Sequence, residues 1–197
     1  MELLIPLLAS FLLLFIATVL IATVGRRRRR QHEAIELRSV KAIEAVAGPG
    51  LAAWFADTVR LRQLIEDVSA SGREMLTVET QLGQSLRRPL WRQIEDANFG
   101  HQLDRVRQQA SAWLIQFDSL GAADRQIIEL LGLDVGPVRE LLEAERFHWQ
   151  DEGPPIQSIR DRSDELDSVQ RKLNAAIDRL RRIERELVDY RPGGYRF

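Results

Sequence analysis

The sequence predicts an all-α protein with one N-terminal transmembrane helix, a compact multi-helix cytoplasmic domain and a long C-terminal heptad helix of coiled-coil type. Three observations predict this class. The stretch 3–24 has no charged residue, apolar residues recur at helical spacing from residue 37 onward, and leucine or isoleucine recurs every seven residues from 159 to 187. The sequence has no long alternation of apolar and polar residues, which would indicate strands. It also has no Asn-Gly or Asp-Gly pair, which would indicate a hairpin.

The apolar stretch 3–24 has the length of one membrane span. A helix of this stretch is roughly 33 Å long at about 1.5 Å per residue, which matches a hydrocarbon core of about 30 Å. Pro6 falls in the first turn, where the missing N–H costs least. A cleaved signal peptide is disfavoured, because its apolar core is shorter and follows a basic segment, whereas here the basic residues come afterwards.

A run of five arginines follows the apolar stretch directly and predicts its orientation. Basic residues at one end of a span stay in the cytoplasm, so we expect residues 1–2 outside and the chain from residue 25 onward inside. Each arginine near an anionic leaflet contributes about 1 kcal/mol of lipid attraction. Nearly all other basic residues are also arginine, which suggests a GC-rich bacterium and hence a bacterial inner membrane. The residues expected to contact lipid headgroups are Arg26, Arg27, Arg28, Arg29 and Arg30.

Charge and cysteine content exclude several function classes. Of 28 basic residues five lie in the arginine run, and of 29 acidic residues only Glu2 precedes it. The rest of the chain therefore has 23 basic against 28 acidic side chains, and a mildly acidic domain is a poor nucleic-acid binder. We expect no nucleic-acid partner. The absence of cysteine excludes disulfides, thiol catalysis and cysteine-ligated metal.

Between the anchor and the heptad helix, the pattern predicts a basic juxtamembrane stalk helix over 25–47 and a helical domain over 51–152. Gly48-Pro49-Gly50 separates the two. Glycines and prolines also predict breaks within the domain. We expect one helix to end near Gly72 and the next to begin near Met75 and to bend or end at Pro89. A short continuation should stop near Gly100, and Pro137 should open a later helix.

The segment 156–190 carries apolar residues at two positions of a heptad over about four repeats, the length at which a coiled coil is predicted. Arg162 interrupts the first layer and Ile177 widens the apolar face beside the seam. A narrow seam favours pairing between two chains, and a broad stripe favours packing against the helical domain; both remain open, and the first would make a homo-oligomer. The seam consists of Ile159, Leu166, Val169, Leu173, Ala176, Leu180, Ile183 and Leu187.

The search for catalytic or metal-binding patterns yields no site, so we predict no enzymatic activity and no cofactor or metal. The three histidines, His32, His101 and His148, lack a second ligand at the spacing of a zinc helix. Glu145 and His148 match the Glu-x-x-His spacing of a di-iron bundle, but no second copy occurs. Phosphate-binding loops and nucleophile elbows are also missing from the sequence.

Aromatic residues suggest points of contact with a partner. The four tryptophans are expected mainly in the core, with Trp149 beside the Gly-Pro-Pro break as the one most suited to anchor a partner. The glycine-rich tail 191–197 is expected to be flexible, yet it ends in residue types that are enriched at interfaces. The residues of this second candidate contact are Tyr195, Arg196 and Phe197.

This layout predicts a single-pass membrane-anchored adaptor or structural subunit that presents a helical protein-binding module at the cytoplasmic face of the membrane. Its partners would be proteins of a larger membrane complex, with lipid contacted through the anchor and the arginine run. One alternative is a signal-relay protein that uses helix rearrangement, for which Gly48-Pro49-Gly50 is the hinge candidate. A helical enzyme acting on a membrane-associated substrate is the least favoured alternative.

Overall fold

The computed structural model describes residues 38–82, 89–143 and 155–190, and these ranges are helical apart from short connections. The all-α prediction is confirmed for them, since they contain no strand. Residues 38–47 are helical and are called α1 here. The other helices are α2 (Pro49–Leu82), α3 (Pro89–Asp118), α4 (Ala122–Leu130), α5 (Gly136–Glu143) and α6 (Pro155–Asp189).

The chain divides into two units, Met1–Lys41 and Ala42–Phe197. Only residues 38–41 of the first unit are described, and they belong to α1. The predicted transmembrane span 3–24 and the arginine run lie outside the described residues. Among the helices within the described ranges, none combines the length and apolarity that crossing a bilayer requires.

One glycine both ends α1 and begins α2. Gly48 has φ +96°, a left-handed conformation that glycine adopts without steric cost. Its N–H bonds to the carbonyl of Glu44, and its own carbonyl accepts the N–H of Ala52. Pro49 then takes the first helical position, where a missing N–H is harmless. The predicted break at Gly48-Pro49-Gly50 is therefore confirmed and is a single residue wide.

The predicted break near Gly72 is wrong, because α2 runs without interruption for 34 residues. A β-carbon built on Gly72 would lie 2.8 Å from Oε1 of Gln170 on α6 and 3.1 Å from Cζ of Phe99 on α3. Glycine is thus required at this position for close approach of two neighbouring helices, not for termination. The segment expected to begin at Met75 is the continuation of α2.

The predicted stop near Gly100 is also wrong, because α3 is one helix of 30 residues. Pro89 is its first residue, consistent with the preference of proline for the start of a helix. Apolar residues on both sides of Gly100 are buried, among them Phe99, Leu103 and Val106. Burial of this face supports the helix across the glycine, whose intrinsic cost is only about 1 kcal/mol.

Two short helices connect α3 to the end of the domain. The helix α4 ends in a Schellman motif, with Gly132 at φ +58° and the N–H of Leu133 bonded to the carbonyl of Ile128. Asp134 then accepts the N–H of Gly136 at 2.7 Å, an Asx turn that leads into α5. The helix predicted to open at Pro137 is confirmed and begins one residue earlier.

Four helices enclose the core of the second unit in a cycle of contacts. The helix α2 packs against α3 and α6, and α5 also packs against α3 and α6. The largest side chains buried between them include Trp54, Phe99, Trp113, Leu173 and Ile183. The core position expected for most tryptophans is confirmed for Trp54 and Trp113. Trp91 and Trp149 lie outside the residues whose side chains are described.

Candidate functional site

The residues predicted to contact lipid and partners lie outside the described part of the chain, except for the seam on α6. Arg26 to Arg30 and Trp149 are outside, as are the tail residues Tyr195, Arg196 and Phe197. The side chain of Ile159 is outside as well.

The heptad positions of α6 from Leu166 onward form the inner face of this helix. They pack within the chain, since α6 contacts α2 and α5. Val169 is the exception and is only half-buried. Ile177, which widens the stripe beside the seam, is buried too. The fully buried seam residues are Leu166, Leu173, Ala176, Leu180, Ile183 and Leu187.

A partly buried polar cluster joins α2 to α6. Nε2 of Gln170 donates to Oγ of Ser69 at 2.5 Å and to Oδ1 of Asn174 at 3.3 Å. Oγ of Ser69 also donates to Oδ1 of Asn174 at 3.2 Å. Hydrogen bonds inside a protein align the groups that make them, so this cluster helps to set the register of the two helices. Sequence reasoning missed it because isolated Ser and Gln residues in helices carry no distinguishing pattern.

A second polar link between the same helices is ionic. Nε of Arg62 on α2 bonds to Oε1 of Glu184 on α6 at 2.5 Å, and its Nη1 bonds to Oε2 of Glu66 at 2.7 Å. Arg181 on α6 closes the network with a contact of 2.8 Å to Oε1 of Glu66. The four charges alternate in sign, and the side chains of Arg62 and Glu184 are only 18% and 19% exposed.

The ionic network changes the acidity of Arg62. Burial alone would lower the pKa of its guanidinium, because desolvation disfavours the charged form. The hydrogen bond and charge of Glu184, reinforced by Glu66, outweigh burial and raise the pKa above its ordinary value. Arg62 therefore stays charged at every pH at which the protein is handled.

An aromatic cluster occupies the contact between α2 and α3. The rings of Trp54 and Trp113 stack with centroids 4.9 Å apart, and Phe117 lies 5.5 Å from Trp54. Oγ1 of Thr58 accepts a hydrogen bond of 2.8 Å from Nε1 of Trp113 and donates one to the carbonyl of Trp54. Nε1 of Trp54 is buried and has no partner among the described residues.

An apolar groove, called the end groove here, lies on the surface of the described residues. It lies between α1, the start of α2 and the C-terminal end of α6, and its lining residues are Ala42, Ile43, Val46, Ala47, Leu51, Leu187, Val188 and Tyr190. Val46 and Val188 contribute exposed apolar surface, at 36% and 39% exposure. The depression has a cavity volume of only about 10 Å³. Small-molecule sites commonly measure about 300–1,000 Å³ and enclose their ligand, so this shape suits a side chain placed on it from outside.

Comparison of the chain with protein-family models, with curated proteins and with solved structures finds no match.

The described residues hold no group of three or more His, Asp or Glu side chains arranged for a metal ion. His101 lies exposed on α3, and His148 is outside the described part. The charged side chains that do come together, from Arg62 to Glu184, are paired with one another between two helices. These ion pairs link α2 to α6.

Proposed function

We propose that the chain is a single-pass membrane-anchored adaptor or structural subunit that presents a helical protein-binding module at the cytoplasmic face of a bacterial inner membrane. The stretch 3–24 and the arginine run support the anchor and its orientation, through span length and the positive-inside rule. The module is the unit Ala42–Phe197. Anchoring raises the effective concentration of the module near other membrane components, which strengthens weak contacts.

The main support for this proposal is the distribution of buried and exposed apolar side chains on the module. The heptad stripe of α6, the most pronounced apolar pattern after the anchor, is buried within the chain. Ile115 on α3 and Leu130 on α4 are instead 67% and 72% exposed, the highest values among large apolar side chains in the described residues. The buried core of an interface between proteins is more apolar than the surrounding surface and is depleted of charged residues. The partner is therefore a protein that offers apolar surface to α3 and α4.

Co-purification with paired variants tests the proposal. The tagged full chain is extracted in mild detergent as wild type, as Ile115→Arg with Leu130→Arg, and as Gln108→Arg with Gln126→Arg. Both glutamines are exposed on the same two helices, so the control adds the same charge to the same elements. We expect proteins at fixed stoichiometry with the wild type and the control, and their loss from the first variant. A single species at monomer mass, or equal loss from both variants, contradicts the proposal.

Labelling of single cysteines tests the orientation. The chain has no cysteine, so Glu2→Cys and Gln126→Cys each provide one reactive thiol. A membrane-impermeant maleimide applied to intact spheroplasts should label the first variant. It should label the second only after the membrane is opened. The reverse pattern excludes the proposed topology without affecting the proposal for α3 and α4.

A signal relay is the second candidate, and the conformation of Gly48 favours it. A single left-handed residue separates residues 42–47 of α1 from α2, so a small change of φ and ψ would swing one helix against the other. Spin labels at Ala45→Cys and Gln63→Cys, both exposed, report the distance across this joint. Two distance populations would support a relay, and one narrow population would support a fixed scaffold.

A further inference from the structure

The outward face of α3 has no charged side chain between residues 108 and 117. Three exposed positions follow one another there at spacings of four and three residues, which places them in one line along the helix, opposite its buried face. These residues are Gln108, Ala112 and Ile115. A protein surface that covers this line must therefore accept an uncharged and partly apolar ridge.

Charged residues of opposite sign lie just beyond the two ends of this line. Arg107 and Asp118 are eleven residues apart, which is about three turns, so both lie on the same side of α3. The carboxylate of Asp118 is exposed, and no ion pair of the described residues includes it. Arg107 donates to Asp104 at 3.4 Å, but a guanidinium has five N–H donors and can bind a second carboxylate as well.

This arrangement of charges is complementary to itself. A two-fold axis beside Ala112 would place a second α3 antiparallel to the first and bring Arg107 of each copy level with Asp118 of the other. The same register places Ile115 of one copy between Gln108 and Ala112 of the other. A parallel pair in register would form neither ion pair. Charge complementarity therefore favours a second copy of this chain, in antiparallel orientation, as the occupant of this face.

We propose that two copies of the chain pair through antiparallel α3 helices. Ala112 and Ile115 form the centre of the contact, and ion pairs between Arg107 and Asp118 lie at both of its ends. This pairing rests on the proposed function, because the second copy covers Ile115 of the adaptor surface. A partner protein that binds Ile115 therefore has to displace the second copy.

The contact is confined to one pair of helices, which is small beside the roughly 1,200 Å² that stable complexes bury. Two copies anchored in one membrane have a high effective concentration, which compensates for weak affinity. The pairing therefore forms in the membrane, and the chain is monomeric in dilute detergent.

Disulfide formation between single cysteines in native membranes tests the pairing, since the chain has no cysteine of its own. Ala112→Cys lies beside the two-fold axis and should give a disulfide-linked dimer under mild oxidation. Gln108→Cys is the control, because position 108 is exposed on the same face but its two copies lie about 13 Å apart along the helix axis. The dimer yield should be at least about fivefold higher for Ala112→Cys. Equal yields overturn the proposal, because random collision or a parallel pair would produce them.

Charge reversal tests the ion pairs at the ends of the contact. In the Ala112→Cys background, Arg107→Glu and Asp118→Arg should each lower the dimer yield by at least about threefold, because each replaces two attractive contacts by two repulsive ones. Asp118→Arg leaves the bond from Arg107 to Asp104 in place, so its effect reports the contact between copies. Both reversals together should restore the yield of Ala112→Cys alone, and a yield that stays low overturns the proposal.

The outcomes separate this pairing from the proposed function. Loss of the disulfide dimer while proteins still co-purify through Ile115 overturns the pairing alone. A disulfide from Ala112→Cys to a different protein also overturns the pairing, because that protein then occupies the face. A disulfide dimer without any protein that co-purifies through Ile115 supports the pairing and contradicts the adaptor.

Discussion

The hydroxyl of Thr58 accepts a hydrogen bond of 2.8 Å from the indole Nε1 of Trp113, fifty-five residues further along the chain. The same oxygen donates to the carbonyl of Trp54 one turn earlier, and both tryptophans are buried. Thr58 itself is fully buried. The α2–α3 contact thus combines a stacked aromatic pair with one polar atom that satisfies the indole N–H. That oxygen cannot be removed without leaving a buried donor unpaired.

Replacing Thr58 by valine should destabilise the protein by about 1–3 kcal/mol, the usual cost of an unsatisfied buried donor. Valine has nearly the same shape, so packing of the stacked rings is retained and the effect isolates the hydroxyl. The free energy of unfolding is measured by urea titration of the full chain in mild detergent, followed by tryptophan fluorescence and far-UV circular dichroism.

Thr77→Val is the matched control for this substitution. Thr77 donates to the carbonyl of Arg73 at 2.8 Å in the same helix but is exposed. Its replacement should change the free energy of unfolding by no more than about 0.5 kcal/mol. Equal losses of unfolding free energy in the two variants would show that the hydrogen bond from Trp113 to Thr58 adds no more stability than the exposed hydroxyl of Thr77 does.

The sequence predicted the helical class correctly but predicted several helix boundaries wrongly, and glycine is the reason. Gly48 ends a helix because its φ of +96° is unfavourable for other residues. Gly72 lies inside a helix because α3 and α6 approach it closely. In the sequence alone, both glycines predict the end of a helix. What distinguishes them is a contact with residues about 27 and 98 positions away, Phe99 and Gln170, which no local pattern contains.

Gly72→Ala should destabilise the protein although alanine is the better helix former. The new methyl would meet Gln170 and the ring of Phe99, and overpacking of this kind costs about 1–3 kcal/mol. The gain in helix propensity is about 1 kcal/mol, so the net effect is a modest loss. Urea titration of the full chain provides the measurement. The cost of Gly72→Ala should be smaller when it is measured in a Gln170→Ala background, because that side chain is the nearest obstacle.

Gly121→Ala serves as the control for Gly72, since Gly121 precedes α4 at φ −63° with nothing within 4 Å of a built β-carbon. Its effect should be a few tenths to about 1 kcal/mol, the range for losing a favourable helix-capping residue. A higher unfolding free energy for Gly72→Ala would show that α2, α3 and α6 leave enough space for a methyl group at this position.

The seam of α6 shows a second property that the sequence does not determine, namely which surface its apolar face packs against. Heptad spacing identified which residues of α6 are apolar on one face, and Leu173 and Leu180 are indeed buried. The pattern left open whether the face packs on another chain or on its own domain, because both use the same spacing. The choice depends on α2, whose Ser69 and Arg62 meet Gln170 and Glu184 of α6. This hydrogen bond and this ion pair join residues that are far apart in the sequence, so no local sequence pattern predicts them.

Leu173→Ala should cost about 2–5 kcal/mol of unfolding free energy, the range for a leucine truncated in a packed core. Val188→Ala on the same helix is 39% exposed and should cost less than about 1 kcal/mol. Because the seam packs within the chain, the urea midpoint of the wild type should stay constant over a roughly hundredfold range of protein concentration. A midpoint that rises with concentration would assign the seam to contact between chains.

The ionic network allows a prediction about charge and pH. Arg62→Ala removes the centre of the α2–α6 network and leaves Glu184, only 19% exposed, without its 2.5 Å partner. Exposed pairs contribute up to about 1 kcal/mol and breaking a buried pair costs about 3–5 kcal/mol. This half-buried pair should fall between the two ranges. Arg171→Ala is the control, since Arg171 and Asp167 are 74% and 63% exposed and their pair should contribute less than about 0.5 kcal/mol.

The pH dependence of the same variant follows from the direction of the Arg62 shift. A basic group whose pKa is raised on folding contributes stability below the pKa of the unfolded chain and loses it only as pH rises through the higher folded value. Both values lie above the range in which the protein is studied. The difference in unfolding free energy between wild type and Arg62→Ala should therefore stay constant from about pH 7 to about pH 10. A difference that shrinks steadily over this interval would mean that Arg62 loses its proton there, which pairing with Glu184 and Glu66 would not allow.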